Sequence, residues 1–399
     1  LFRSSVRNSV IDIKEARADY MAAVGAFLPR AAVNAETGKR FGRSIDPDTN
    51  GYTNETFEEG TVGLDMTLSL FEGFSRIHQV RFRKMNKERS EWALKNKQNE
   101  LAYQVTDAYY KLILERKLLN LALEQSRLSE RYLKQTEAFV ELGLKSASDL
   151  QEVKARREGD IYRYKSRENT CRLALLHLEQ LMNFQPGVIQ DTIVEANQLP
   201  LLSVPSTETL YAQSLEILPV MRMIDLKRKA ACKEYAMAGG TFSPSVYARF
   251  TVGSNFYNTV FSARQLRDNI GKYVGIGISF PLLSGLERLT HQRKQKLNLY
   301  RLKNEEELEK QQLYTDIEQT LLSLHAGFSE HQQALQQLDA EALVLKESER
   351  KWEEGLISVF QLMEARNRFI SAKAELVRVR LQVEMMRKLE KYYREGTFL

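Results

Sequence analysis

The sequence predicts a mainly α protein with a β part: two tandem repeats, each a long antiparallel coiled-coil helical hairpin preceded by two membrane-type β-strands. Three observations carry that expectation. Residues 74–142 and 286–354 are two stretches of 69 residues, each bounded by glycines, that contain no Pro and between them only Gly327. Flanking residues recur at an offset of 212: Val62, Gly63 and Gly73 match Val274, Gly275 and Gly285, and Gly143-Leu144-Lys145-Ser146 matches Gly355-Leu356-Ile357-Ser358. Upstream of each long stretch the hydrophobic period changes from helical to two.

The first repeat, 1–184, is expected to hold a helix over 1–26, strands over 30–41 and 61–72, a long helix over 74–142 and a return helix over 147–183. A linker over 185–205, with Pro186, Pro200 and Pro205, leads to the second repeat, 206–399. There the expectation is a helix over 206–238, strands over 244–256 and 273–283, a long helix over 286–354 and a return helix over 358–394. Further upstream the offset becomes 215, pairing Phe27, Pro29 and Gly38 with Phe242, Pro244 and Gly253.

The strands read as follows. Val62, Leu64, Met66 and Leu68 alternate with small or polar residues, as do Val274, Ile276, Ile278 and Phe280. Each run approaches the ten or so residues of a tilted membrane strand. A partner strand precedes each, at Val246, Ala248, Phe250, Val252 in the second copy and more weakly at Ala31, Val33, Ala35 in the first, with loops at 42–60 and 257–272. Two soluble hairpins packed on helices have the same period. Repetition and the length of the adjacent helices favour the membrane reading, and because four strands cannot close a barrel, several chains must contribute.

Each long helix spans roughly 100 Å at 1.5 Å per residue, a length that needs a partner along its flank. A seam runs through Leu114, Leu118, Leu121, Gln125, Leu128, Tyr132, Gln135, Phe139 and Leu142. A second runs from Leu321 and Leu324 through Phe328, His331, Leu335 and Leu338 to Trp352 and Leu356. Gly143 and Gly355 then mark hairpin tips, followed by helix-start residues Ser146 and Ser358.

Composition closes off other classes. With 8 Pro, 20 Gly and 28% charged residues, collagen-like, low-complexity and disulfide-scaffold readings fail. Cys171 and Cys232 lack metal-ligand spacing and read as buried apolar residues. The net charge is +6, but basic and acidic residues interleave, so nucleic acid is not an expected partner. No run is long and apolar enough for a membrane helix. Leu1 is not preceded by a leader, so a secretion signal is expected to have been removed or left out. Nucleotide loops, CxxC, HExxH and nucleophile-elbow motifs are absent, so neither catalysis nor a cofactor is expected.

Order, duplication and spacing of these motifs resemble the TolC family of bacterial outer-membrane efflux and secretion channels. The likeness covers nearly the whole chain, including Phe27-Leu28-Pro29 and Phe242-Ser243-Pro244 entering strands and Leu70-Phe71-Glu72-Gly73 and Leu282-Leu283-Ser284-Gly285 leaving them. It implies a homotrimer with a twelve-stranded barrel in the outer membrane, in contact with its lipid, continued by a helical barrel into the periplasm. It also implies a periplasmic adaptor protein, tied to an inner-membrane pump, at tips formed by Gly143, Leu144 and Ser146 and by Gly355, Leu356 and Ser358. A plain helical turn with a Gly cap is the alternative at those tips. Family channels narrow there with acidic residues, which fall on Gln361 and Glu364; the first departs from the pattern. Asp149 and Arg366 are candidates for contacts that hold the end closed. A periplasmic coiled-coil adaptor or scaffold is the rival reading, and it predicts one hairpin rather than two.

Asp46-Pro47-Asp48-Thr49-Asn50-Gly51 opens like a calcium loop, but its twelfth position is Phe57, so Asp46, Asp48 and Asn50 make a weak site beside the reading as an acidic external turn. Arg81, Arg83 and Lys84 recur as Arg293, Lys294 and Lys296, fitting lipid phosphates, a tunnel mouth or a solvated face.

Overall fold

A computed structural model describes residues 2–45, 49–189, 205–259, 261 and 263–398. In chain order the elements are α1 (Phe2–Gly25), β1 (Arg30–Arg40), β2 (Ser44–Ile45), β3 (Tyr52–Thr53), β4 (Phe57–Glu72), α2 (Ser75–Glu141) and α3 (Ala147–Met182). Then follow α4 (Thr207–Ile217), α5 (Pro219–Gly240), β5 (Ser245–Asn258), α6 (Ala263–Asp268), β6 (Gly271–Ser279), α7 (Glu287–Glu353) and α8 (Val359–Glu395). Most of the expected linker, including Pro200, lies outside the described residues.

Several boundaries differ from the sequence expectation, each for a local reason. The helix expected over 206–238 is divided into α4 and α5 at Leu218, because Pro219 cannot donate into a continuing helix. β4 starts at Phe57 rather than 61, where the Phe57 and Tyr257 rings stack with centroids 4.7 Å apart. β6 ends at Ser279, leaving Phe280 one residue beyond it, because Pro281 has no N–H for a ladder. The two expected loops hold the short β2–β3 pair and α6.

The chain divides into two compact units that cut across the repeats, each repeat contributing to both. One comprises Ile11–Glu91 and Met223–Glu306. It holds an antiparallel sheet of order β1-β4-β5-β6. Gly73, with φ 58°, passes α5 so closely that a Cβ there would run into the Gly240 carbonyl.

The other comprises Leu1–Val10, Trp92–Arg222 and Glu307–Leu399. Its helices are held by separate apolar clusters. Leu133 of α2, Val153 of α3, Trp352 of α7 and Val359, Leu362 and Met363 of α8 form one. Ala108 and Leu112 meet Cys171, Leu178 and Leu181 in a second. Leu210 and Leu218 join Leu313, Ile317, Leu321 and Tyr393 in a third, where Ser214 Oγ donates to the Tyr393 carbonyl at 2.8 Å. Burial pushes the Tyr393 phenol up to about 12. Gly327 lies against α8, and a Cβ at that position would be 2.7 Å from Val383 Cγ2.

The first seam also needs correction. Leu121 and Gln125 are buried as expected, but beyond them the buried positions are Ser129, Leu133 and Thr136, one residue ahead of Leu128, Tyr132 and Gln135. A straight helix of 3.6 residues per turn drifts from a 3.5 repeat, and here the drift brings Ser129 to a buried carboxylate on α3. Leu335 is likewise exposed, its neighbour Ala334 being buried instead.

Candidate functional site

Two places collect the residues singled out by sequence: the sheet in one unit and the hairpin tips in the other.

In the sheet, register puts the apolar residues of both repeats on one face. Ala31, Val33 and Ala35 pair with Met66, Leu64 and Val62. Leu64, Met66 and Leu68 pair with Val252, Phe250 and Ala248, and Val246, Ala248 and Phe250 pair with Ile278, Ile276 and Val274. A soluble sheet would cover such a face, yet Val33, Val274, Ile276 and Ile278 are 74%, 76%, 71% and 72% exposed. The opposite face is polar. Asp65 accepts hydrogen bonds from Asn34 Nδ2 and Thr251 Oγ1, both at 3.1 Å, and Arg40 pairs with Glu59 at 2.7 Å. Among the described residues no helix is long and apolar enough to cross a membrane.

At the tips the two repeats are built alike. Gly143 and Gly355 have φ of 72° and 76°, the left-handed conformation that ends α2 and α7. Leu144 N donates to the Phe139 carbonyl at 2.8 Å and Leu356 N to the Lys351 carbonyl at 2.8 Å, with Gly143 N and Gly355 N donating three residues back. Ser146 and Ser358 then cap α3 and α8 in matching capping boxes closed by Asp149 and Gln361. Leu144 and Leu356 are left 66% and 68% exposed.

The gate candidates separate on this geometry. Asp149 and Gln361 are equivalent residues of the two repeats, and each is held by its own cap. Asp149 Oδ2 accepts from Ser146 N at 3.0 Å and Ser146 Oγ at 2.8 Å, and the backbone bond chiefly holds its carboxyl below the ordinary range. Gln361 Oε1 accepts from Ser358 N at 3.0 Å. Glu364 and its repeat counterpart Glu152 line a groove of about 640 Å³ between α3 and α8. Arg366 is buried: Nη2 donates to the Gln125 carbonyl at 3.3 Å, and the guanidinium lies 5.5 Å from the Tyr132 ring centre. Burial lowers its pKa, opposed by Tyr132, Asp160 and Glu349.

Sequence reasoning missed the polar core beside Arg366. Asp160 of α3 is 1% exposed; it accepts from Gln125 Nε2 at 3.0 Å and from Ser129 Oγ, and Gln125 Nε2 also donates to Asn367 Oδ1 at 3.2 Å. A polar Gln inside an apolar seam was the available signal. Of the weak calcium residues, Asp46 and Asp48 lie outside the described residues, and Asn50 stands in a left-handed turn with φ 54°.

Residues 3–183, the span of the first repeat, match the outer membrane efflux protein family, and the second repeat has the same tips, caps and strand register. In its first repeat the chain is thus similar to outer membrane efflux proteins. No curated protein matches it in sequence. Its fold is that of CusC, with TM-score 0.86, 15% identity, 98% of this chain and 89% of that chain covered. The Campylobacter jejuni outer membrane channel CmeC gives TM-score 0.86 at 14% identity, covering 98% and 83%. The Vibrio cholerae outer membrane protein VceC gives 0.84 at 14%, covering 98% and 92%. Over nearly its whole length the chain therefore shares the fold of these outer-membrane proteins, and its first repeat matches a family of outer membrane efflux proteins.

Proposed function

We propose that three copies of this chain close a twelve-stranded barrel and form a passive efflux exit duct. It would serve a tripartite efflux or type I secretion system, with a periplasmic adaptor at the tips and an inner-membrane pump supplying the energy. No catalytic step is assigned to the chain. The number three is what the TolC resemblance implies.

One observation carries the assembly: a contact between repeats is made once within the chain and left open once. The ladder between β4 and β5 joins the second strand of repeat one to the first strand of repeat two. Its counterpart, β6 against β1, is unmade, and among the described residues both edges of the four-stranded sheet stand unpaired. Gly73 against Gly240 is likewise made, whereas their counterparts Gly285 and Gly25 have nothing within 4 Å of a Cβ. A membrane tolerates no open edge, so a second copy must supply the missing half.

At the tips, exposed Leu144 and Leu356 offer the apolar contact expected of an adaptor site. The gate reading places Glu364 on the tunnel side, with Arg366 holding α8 to α2. Sedimentation in detergent tests the duct: a particle of three chains is expected, and a monomer that stays in solution without detergent would overturn it.

A further inference from the structure

The polar face of the sheet carries two cations at one level. Arg30 of β1 and Arg249 of β5 both pair across to Thr67 of β4, so the three lie in one cross-strand row on that face. Two strand spacings separate the arginines by about 10 Å at the backbone. Both are exposed, and among the described residues neither has a hydrogen bond or ion pair, the charge of Arg30 reaching only Glu72, whose carboxylate is already bonded to Arg76 and Ser69.

Nearby carboxylates are already engaged. Glu72 accepts from Arg76 Nε at 3.0 Å and Ser69 Oγ at 2.6 Å. Asp65 is taken by Asn34 and Thr251, and Glu59 by Arg40. Glu36 lies six residues along β1 from Arg30, about 20 Å at the rise of an extended strand. Beyond Arg249 the wall is flat: it pairs with Gly275, which the Tyr273 side chain covers, and Tyr247 covers Gly277.

We infer that Arg30 and Arg249, once from each of three chains, form a staggered band of six unpaired guanidinium groups inside the barrel that binds oxyanions, carboxylate or phosphate, on solutes in transit. This rests on the trimeric duct proposed above, which turns the apolar face to lipid and the polar face to the lumen. The anion is therefore a solute and not a lipid headgroup. Guanidinium matches an oxyanion with two parallel hydrogen bonds, and like charges around a confined lumen reinforce each other's field. Because the cross-strand row climbs with strand tilt, the band is stepped.

Single channels in planar bilayers test it, with inorganic pyrophosphate as the probe. Wild-type current should fall at pyrophosphate concentrations about ten-fold below those needed for the double variant Arg30→Gln/Arg249→Gln, the loss expected when a charge-assisted pair of bonds is removed. In a salt gradient the variant's reversal potential should move toward cation preference, and Arg30→Lys/Arg249→Lys should keep the wild-type potential. Equal block and equal potential in wild type and glutamine variant would overturn the band while leaving the duct intact. So would wild-type current indifferent to millimolar pyrophosphate, a result that needs no variant. Absence of any wild-type conductance would instead strike the duct reading, and the band with it.

Discussion

Arg366 of α8 lies 3% exposed with its guanidinium 5.5 Å from the centre of the Tyr132 ring on α2, and that phenol donates to Glu349 of α7 at 3.4 Å. Three helices from both repeats thus meet on one charge. Burial, followed by the charge of Glu349, raises the Tyr132 pKa, so the ring remains neutral and its face stays available to the cation.

The first prediction concerns this contact. Arg366→Met keeps the volume and removes the charge, which loses a cation–π contact of about 2 kcal/mol in a desolvated setting. Single-channel conductance should rise while trimers persist. Asp149→Ala should remove only the return half of the capping box, leave the Ser146 cap in place and leave conductance unchanged. If Asp149→Ala opens the channel and Arg366→Met does not, the latch is misplaced.

Adaptor docking gives the second prediction. Leu144→Asp combined with Leu356→Asp places charges on two exposed side chains that contribute no core, so folding and trimer formation should be unaffected. Export should be abolished, because an unpaired charge would then have to be buried in the adaptor contact. Export at the wild-type level in cells carrying only the double variant would remove the tips from the docking surface.

What the sequence made legible, and what it hid, divides by range. The ends of the long helices, both tips and the four long strands follow from Gly, Pro and period within a few residues, whereas the short β2–β3 pair and α6 carry no such signal. For Asp149 and Gln361 the sequence suggests a gate, and the structure adds a local role, each closing the capping box of its own return helix just after the turn. The offset of 212 that makes them equivalent was in plain view. Pro219 also announced the break between α4 and α5. Arg366 had no local signal: its partner Gln125 is 241 residues away, and only folding shows that Asp160 and Ser129 share that core.

A third prediction tests which sheet face meets lipid. Leu68 and Ile276 flank Ala248 in one row of the apolar face. Arg at either position should cost roughly 2–4 kcal/mol at mid-bilayer and reduce the amount of folded trimer in the outer membrane. Thr61→Arg, one residue from Val62 but on the polar face, should be tolerated. Equal yields for all three variants, read by heat-modifiable migration of membrane fractions, would refute the assignment of faces.

The last prediction fixes the register between chains. Within the chain Met66 pairs with Phe250. Adding the repeat offset of 212 to the first gives Ile278, and subtracting 215 from the second gives Ala35. If the barrel repeats its own internal contact, Ile278 of one chain opposes Ala35 of the next. By the same rule Gly275 opposes Gly38, as Gly63 opposes Gly253 within the chain. Directly opposed Cβ atoms in a sheet lie about 4.5–5.5 Å apart, close enough for a disulfide after small adjustment. With Cys171 and Cys232 replaced by Ser, Ala35→Cys combined with Ile278→Cys should give covalent dimers and trimers under mild oxidation. Asn34→Cys combined with Ile278→Cys should not, because a slip of one residue turns that side chain to the opposite face. Cross-linking of the second pair but not the first would show that the interface uses another register.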